Sequence, residues 1–360
     1  MNLKQKVARL LRPEVRAISA YHVQPAEGLL KLDAMENPYT WPLELQRRWA
    51  ERLQEAPLNR YPDATAEPLK RKLRTAFDIP ADMGVLLGNG SDEVIQIIIM
   101  GLARPGAVVA APEPTFVMYR GLALALGTEF VGIPLKPADF SLDEQTMLDV
   151  VRERQPAATF LAWPNNPTGN LFDEEAVIRI IEASPGLVVV DEAYYPFARK
   201  TFMDRLAVYD NLLIIRTLSK QGLAGLRLGF LAGRPEWLEE FDKVRLPYNI
   251  NTLTQMSVAF ILDHKDVLDD QATLIRQERE VLLQDLQSLT GITAWPSDSN
   301  FILFRTESTP GPEVHAALKE QGVLIKDLHG SSPMLENCLR VTVSTPEENG
   351  RFLAALKKIL

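Results

Sequence analysis

At 360 residues, with 46% hydrophobic and 24% charged side chains, the chain is long enough for about two domains and too apolar for intrinsic disorder. A net charge of −8 excludes a broad nucleic-acid footprint and a general attraction to acidic membranes, so small anions have to be met by local basic groups. The lone Cys338 forms no internal disulfide, the four histidines lack metal-ligand spacing, and no apolar run approaches the roughly 18 residues of a membrane span, which together predict a reduced, metal-free, cytoplasmic protein.

Residues 1–42 read as an irregular, proline-punctuated arm with a basic amphipathic start and a short strand signal in LLKLDAMENPYTWP, too polar for a core of its own and expected to join a small domain. From 43 to 250 short apolar runs alternate with helical stretches. The strand candidates are 85–88, 107–111, 129–134, 158–163, 187–191, 212–217 and 226–232, with helices over 91–103, 116–127 and 173–184 between them. Continuous rather than alternating apolar runs predict a mostly parallel seven-stranded sheet sandwiched by helices, an α/β large domain. Over 251–360 the texture changes to a long helical region at 252–290, a few strand signals, a helix at 312–321 and a terminal helix from Pro346, which predicts a smaller α+β domain.

In parallel α/β sheets ligands sit beyond the carboxyl ends of the strands, so the residues that follow each strand candidate are the informative ones. GNGSDE follows 85–88, where Gly90, Ser91 and Asp92 present backbone N–H groups at a helix N-terminus suited to a phosphate; alone, Ser91 reads as readily as a plain helix cap. WPNNPTGN follows 158–163 and holds the Asn166 amide at the sheet edge, although an ordinary Asn-Pro turn reads the same way. DEAYYPF ends 187–191, setting Asp191 on a buried run where a carboxylate needs a cationic partner, with Tyr194 three residues on. TLSKQGLAGLRLGF begins at the end of 212–217 and contributes Lys220 and Arg227. A phosphate nest, an amide, a carboxylate with a phenol and a lysine with an arginine converge on one edge. Pyridoxal phosphate asks for that set: a lysine for its aldehyde, a carboxylate for its ring nitrogen, and N–H groups with a cation for its phosphate. Desolvation and Arg227 are expected to lower the Lys220 pKa.

With KLDAMENPY, NRYPD, GNGSDE, PEPTFVMY, WPNNPTG, VVVDEAY, TLSK, SNFILFR and LRVTVSTPEEN spread over nearly its whole length, the chain resembles the fold-type I pyridoxal-phosphate aminotransferases, and among them the histidinol-phosphate branch. The resemblance implies that Lys220 holds the cofactor covalently and shuttles the proton, that Asp191 pairs with the ring nitrogen, and that Asn166 and Tyr194 bond the phenolic oxygen. It also implies that Gly90, Ser91, Asp92, Thr217, Ser219 and Arg227 hold the phosphate, with Tyr61 arriving from the second subunit of a homodimer. Phe116 stacks on the ring in that scheme, where a core phenylalanine is the alternative. Arg340 and Lys326 are assigned to the anionic end of the substrate, and Tyr21, Asn37 and Asn300 to the pocket lining. The implied reaction exchanges an amino group between L-histidinol phosphate and 2-oxoglutarate, with glutamate as product, in histidine biosynthesis; an aromatic amino-acid aminotransferase and a phosphothreonine-decarboxylase-like enzyme are the rivals.

Three departures from the family pattern stand out. The spacing from Lys220 to Arg227 is one residue short, so the loop has to tighten; Lys326 stands where an arginine is usual, replacing a planar fork by a point charge; and Met35 replaces an asparagine of the arm.

Overall fold

The computed structural model describes residues 1–20 and 22–360. Its strands are, in chain order, β1 (Leu30–Lys31), β2 (Gly84–Asn89), β3 (Val108–Glu113), β4 (Glu129–Pro134), β5 (Ala158–Ala162), β6 (Leu187–Asp191), β7 (Leu212–Thr217), β8 (Leu228–Gly233), β9 (Ile292–Ala294), β10 (Phe301–Thr306), β11 (Val323–Leu324), β12 (Lys326–Asp327) and β13 (Cys338–Thr342). Seven of them form one sheet in the order β2-β8-β7-β6-β5-β3-β4. The central strands β5, β6 and β7 are buried along their whole length because helices cover both faces, which is the condition that makes an uninterrupted apolar run stable as a strand. All neighbours pair in parallel except β8, which runs antiparallel to both β2 and β7. The expected α/β fold with a mostly parallel seven-stranded sheet is therefore present, with one reversed strand that an apolar run cannot reveal.

The second sheet, β12-β13-β10-β9, is antiparallel; Phe301, Phe304 and Phe352 are fully buried in a cluster of its own, while Leu303 and Cys338 join the core of the large sheet. The expected helix over 252–290 is interrupted: Thr252–Leu262 and Lys265–Gln287 are two helices, parted at Asp263 and His264. The arm is also more ordered than its prolines suggest. Leu3–Leu10 is a helix started by a capping box, in which the Asn2 side chain accepts from the Gln5 N–H and Gln5 accepts from the Asn2 N–H, and Pro13 opens the short helix Pro13–Ala17. Arg12 then donates to the Ala125 carbonyl on the large sheet's side, while β1 pairs with β11 and the Leu32 carbonyl accepts from Thr342 N–H at 2.8 Å. The arm thus touches both halves. Among the described residues no helix is long and apolar enough to cross a membrane.

Beneath the carboxyl edge of the large sheet lies a buried ion pair. Arg216, on β7, donates through Nε and Nη2 to Glu192 Oε2 at 2.9 and 2.7 Å, and Nη2 also reaches Thr201. The Thr201 hydroxyl and the Phe202 N–H donate to Glu192, and the guanidinium lies 3.7 Å from the centroid of the Tyr195 ring. The pair locks the ends of β6 and β7 together, one residue from Asp191 on the first and from Thr217 on the second. Removing one partner strands the other charge in a dry site, so Arg216→Ala is expected to lose about 3–5 kcal/mol of stability in urea denaturation. A loss near that of a surface substitution would show that water relieves Glu192.

Candidate active site

The site is built at the carboxyl ends of β2, β5, β6 and β7. Gly90, at φ +83°, turns the chain from β2 into the helix Ser91–Leu102, whose first N–H groups have no partner within the helix and face the positive end of its dipole. Ser91 is the first helical residue rather than the cap, and no side chain caps this end. Two glycines make the corner: a Cβ on Gly229 of β8 would lie 2.5 Å from Ser91 N, and one on Gly90 would lie 2.5 Å from Arg227 Nη2. Arg227 thus presses its guanidinium against the nest, 3.4 Å from Asp92 Oδ2. The shortened loop reaches this far through two tight 3-10 turns, Ser219–Gln221 and Ala224–Leu226, with Gly222 at φ +94° and Arg227 itself at φ +51°.

Asp191 ends β6 and is buried, with both carboxylate oxygens held by neutral donors: Tyr119 Oη donates to Oδ2 at 2.7 Å and Ala193 N–H to Oδ1 at 3.1 Å. Burial pushes its pKa up to about 6 against those two bonds. Lys220, at the mouth of the loop, donates through Nζ to the Ala34 carbonyl at 3.3 Å and sits 5.8 Å from the Tyr194 ring centroid. Burial lowers its pKa to about 8; the next contributor is Arg340, and Arg227 comes last of the named neighbours, so the cation expected beside the lysine is largely the substrate-side one. Asn166 donates to Tyr194 Oη at 3.2 Å, and its carbonyl oxygen accepts from Arg340 Nη1.

These groups surround a cavity of about 110 Å³ lined by Ser91, Asp92, Phe116, Asn166, Asp191, Tyr194, Thr217, Ser219, Lys220 and Arg227. Met35, Phe116 and Asn166 also line a cleft of about 610 Å³ that opens toward Lys326 and Arg340. Lys326 and Arg340 are direct partners across β12 and β13, and Arg340 Nη2 donates to the Asp33 carbonyl at 3.1 Å. A buried carboxylate held by two neutral donors, an amine with a depressed pKa and an N–H nest with an arginine fit the ring nitrogen, aldehyde and phosphate of pyridoxal phosphate.

Not every expected residue reaches this cavity. Asn37 is turned away and donates to Gln271 at 2.9 Å, while Asn300 donates to the Met35 carbonyl at 2.9 Å, so the arm offers the Met35 side chain and the asparagines brace it. Tyr61 is 80% exposed on the outer surface, stacked on Tyr248 with ring centroids 4.6 Å apart. Tyr21 lies outside the described residues. Sequence reasoning assigned no role to Tyr119, although its place three residues after Phe116 at a helix start puts both on one face.

Residues 27–356 match the aminotransferase class I and II family, to which the chain belongs. It falls within the histidinol-phosphate aminotransferases: it is 57% identical over 354 residues to histidinol-phosphate aminotransferase 2 of Nitrosococcus oceani, covering 98% of each chain. It is 51% identical to the histidinol-phosphate aminotransferase of Chromobacterium violaceum, covering 99% of each. Among solved structures, the histidinol-phosphate aminotransferase of Sinorhizobium meliloti in complex with pyridoxal-5'-phosphate superposes with a TM-score of 0.84 at 20% identity, covering 98% of each chain. The L-threonine-O-3-phosphate decarboxylase of Porphyromonas gingivalis superposes at 0.77 and 21% identity, a likeness of fold alone.

Proposed function

We propose that the chain is a pyridoxal-phosphate-dependent enzyme that moves the amino group of L-histidinol phosphate to 2-oxoglutarate, giving imidazole acetol phosphate and L-glutamate. When bound, the cofactor supplies an aldehyde that takes up the amino group and a ring that accepts electrons from the substrate Cα–H bond. Lys220 anchors it and carries the Cα proton on Nζ, a role that needs an amine poised near neutrality. Asp191 keeps the proton of the ring nitrogen, Asn166 and Tyr194 orient the phenolic oxygen, and Phe116 forms the aromatic wall. The Gly90–Asp92 N–H groups, Thr217, Ser219 and Arg227 hold the phosphate. The cytoplasm is the compartment we assign.

The observation that carries the substrate is the cross-strand pair Lys326–Arg340 at the cleft. Like charges placed directly opposite repel, and a doubly charged phosphate is the ligand that turns the repulsion into attraction. In the second half-reaction the same wall takes a glutamate carboxylate. Arg340→Ala is therefore expected to weaken both half-reactions by about 1.5–3 kcal/mol, roughly ten- to a hundredfold in single-turnover rate constants, whereas Lys326→Ala acts on the phosphate-bearing substrate first. Wild-type protein that transaminates phenylalanine and ignores histidinol phosphate would replace this reading with an aromatic aminotransferase.

The working unit is a homodimer in this proposal. Arg227 is 47% exposed in its side chain, which leaves the phosphate corner open, and Tyr61 stands out on the surface stacked on Tyr248. A second copy that buries this exposed pair of rings brings Tyr61 to the open corner. Mixing inactive Lys220→Ala protein with a disabled Tyr61→Ala protein is expected to restore part of the activity, since one of the two sites in a hybrid then has both residues. Absence of recovery despite demonstrated subunit exchange would place each site within a single chain.

A further inference from the structure

Tyr119 is fully buried in an apolar cluster that includes Val109, Ile95 and Phe160, where a phenylalanine would fill the same space without a polar atom to satisfy. Its hydroxyl is directed at one acceptor, Asp191 Oδ2, at 2.7 Å. Its ring stacks on Phe160 on β5, with centroids 4.9 Å apart and planes 20° from parallel, and meets Phe116 edge-on at 5.6 Å. One side chain therefore touches both the carboxylate that ends β6 and the aromatic side chain that walls the cavity. The remaining oxygen of Asp191 is held by Ala193 N–H, so the carboxylate plane is fixed by two donors on different oxygens; with Tyr119 gone, only one would remain.

We propose that Tyr119 is a positioning residue of the reaction, holding Asp191 through its hydroxyl and Phe116 through its ring so that both stay aligned to the cofactor ring. The inference rests on the functional reading above. A hydrogen bond donated to a carboxylate stabilises its charged form, so Tyr119 keeps the proton on the ring nitrogen rather than on Asp191. The effect belongs to the electron-accepting step and leaves substrate binding alone.

The test uses Tyr119→Phe holoenzyme loaded with cofactor labelled with ¹⁵N in the ring, a readout that needs no substrate. The ring-nitrogen resonance is expected to move toward the unprotonated position, and the single-turnover rate constant to fall about tenfold with KM within about twofold of the parent. In an Asp191→Asn background the same substitution should change the rate by less than about twofold, because a residue that acts through Asp191 has nothing left to act on. An unmoved resonance, or a tenfold loss that adds in both backgrounds, would overturn the proposal and reduce Tyr119 to packing. Parent protein that takes up no cofactor would overturn the functional reading itself, and the inference with it.

Discussion

Lys220→Ala is expected to abolish turnover while leaving a folded protein that still binds the cofactor, now without a covalent link. The loss of the proton carrier alone removes about 10²–10⁴ in rate, and the loss of the anchoring amine comes on top of it. Single-turnover absorbance with histidinol phosphate measures the effect, and mass spectrometry after borohydride reduction measures the link. Recovery of the cofactor on any lysine other than Lys220 would end the assignment. The surroundings set this amine apart: among polar contacts it has the Ala34 carbonyl at 3.3 Å, and burial together with Arg340 disfavours its charged form.

The same burial costs the cofactor-free protein stability at neutral pH. The folded pKa of about 8 lies below the ordinary lysine value of 10.5, so between those limits the unfolded chain binds more protons than the folded one, and the stability of the cofactor-free protein rises with pH. The penalty is complete below about pH 8 and gone above about pH 10.5. Lys220→Met, which keeps the volume and removes the charge, is expected to melt higher than the cofactor-free parent at pH 7, with the gap closing as the pH rises. A constant gap from pH 7 to 10.5 would trace the stabilisation to packing instead.

Much of this site is legible in the sequence because its devices follow strands that read clearly. The runs at 129–134, 187–191 and 212–217 are strands with those bounds, so the residues after them land at one sheet edge by topology alone. Direction is not legible in the same way: β8 has the same kind of apolar run as the parallel strands of the sheet, yet it runs antiparallel to both of its neighbours. Side-chain orientation in the arm is hidden for a different reason. Asn37 and Asn300 have residue types suited to a polar pocket, but their partners Gln271 and Met35 are 234 and 265 positions away, so only the assembled fold decides which way they point. Tyr119 escapes because a tyrosine among apolar neighbours reads as core until the carboxylate beneath it is known.

Asp191→Asn is the second substitution with a large expected effect, and it isolates charge from shape. Asparagine fits the same slot: its oxygen can still accept from the Ala193 N–H while its amide NH2 donates to the Tyr119 hydroxyl, which turns from donor to acceptor, so the fold and the neighbouring β-strand should be undisturbed. What is lost is the negative charge that keeps a proton on the ring nitrogen, an interaction that matters most when electrons leave the Cα–H bond and less in the resting protein. Removal of one preorganised electrostatic contact of this kind costs about 10²–10³ in kcat, so the rate constant should fall by that factor while cofactor affinity changes far less. Burial has already raised the Asp191 pKa to about 6, which means that the site holds the carboxylate ready for a cation and is relieved when one arrives. The cofactor-free Asp191→Asn protein should accordingly be no less stable than the parent at pH 7, in contrast with the Arg216→Ala protein, where a charge is left without its partner. Near-normal turnover with an unchanged cofactor spectrum in the Asp191→Asn protein would rule out this carboxylate as the partner of the ring nitrogen.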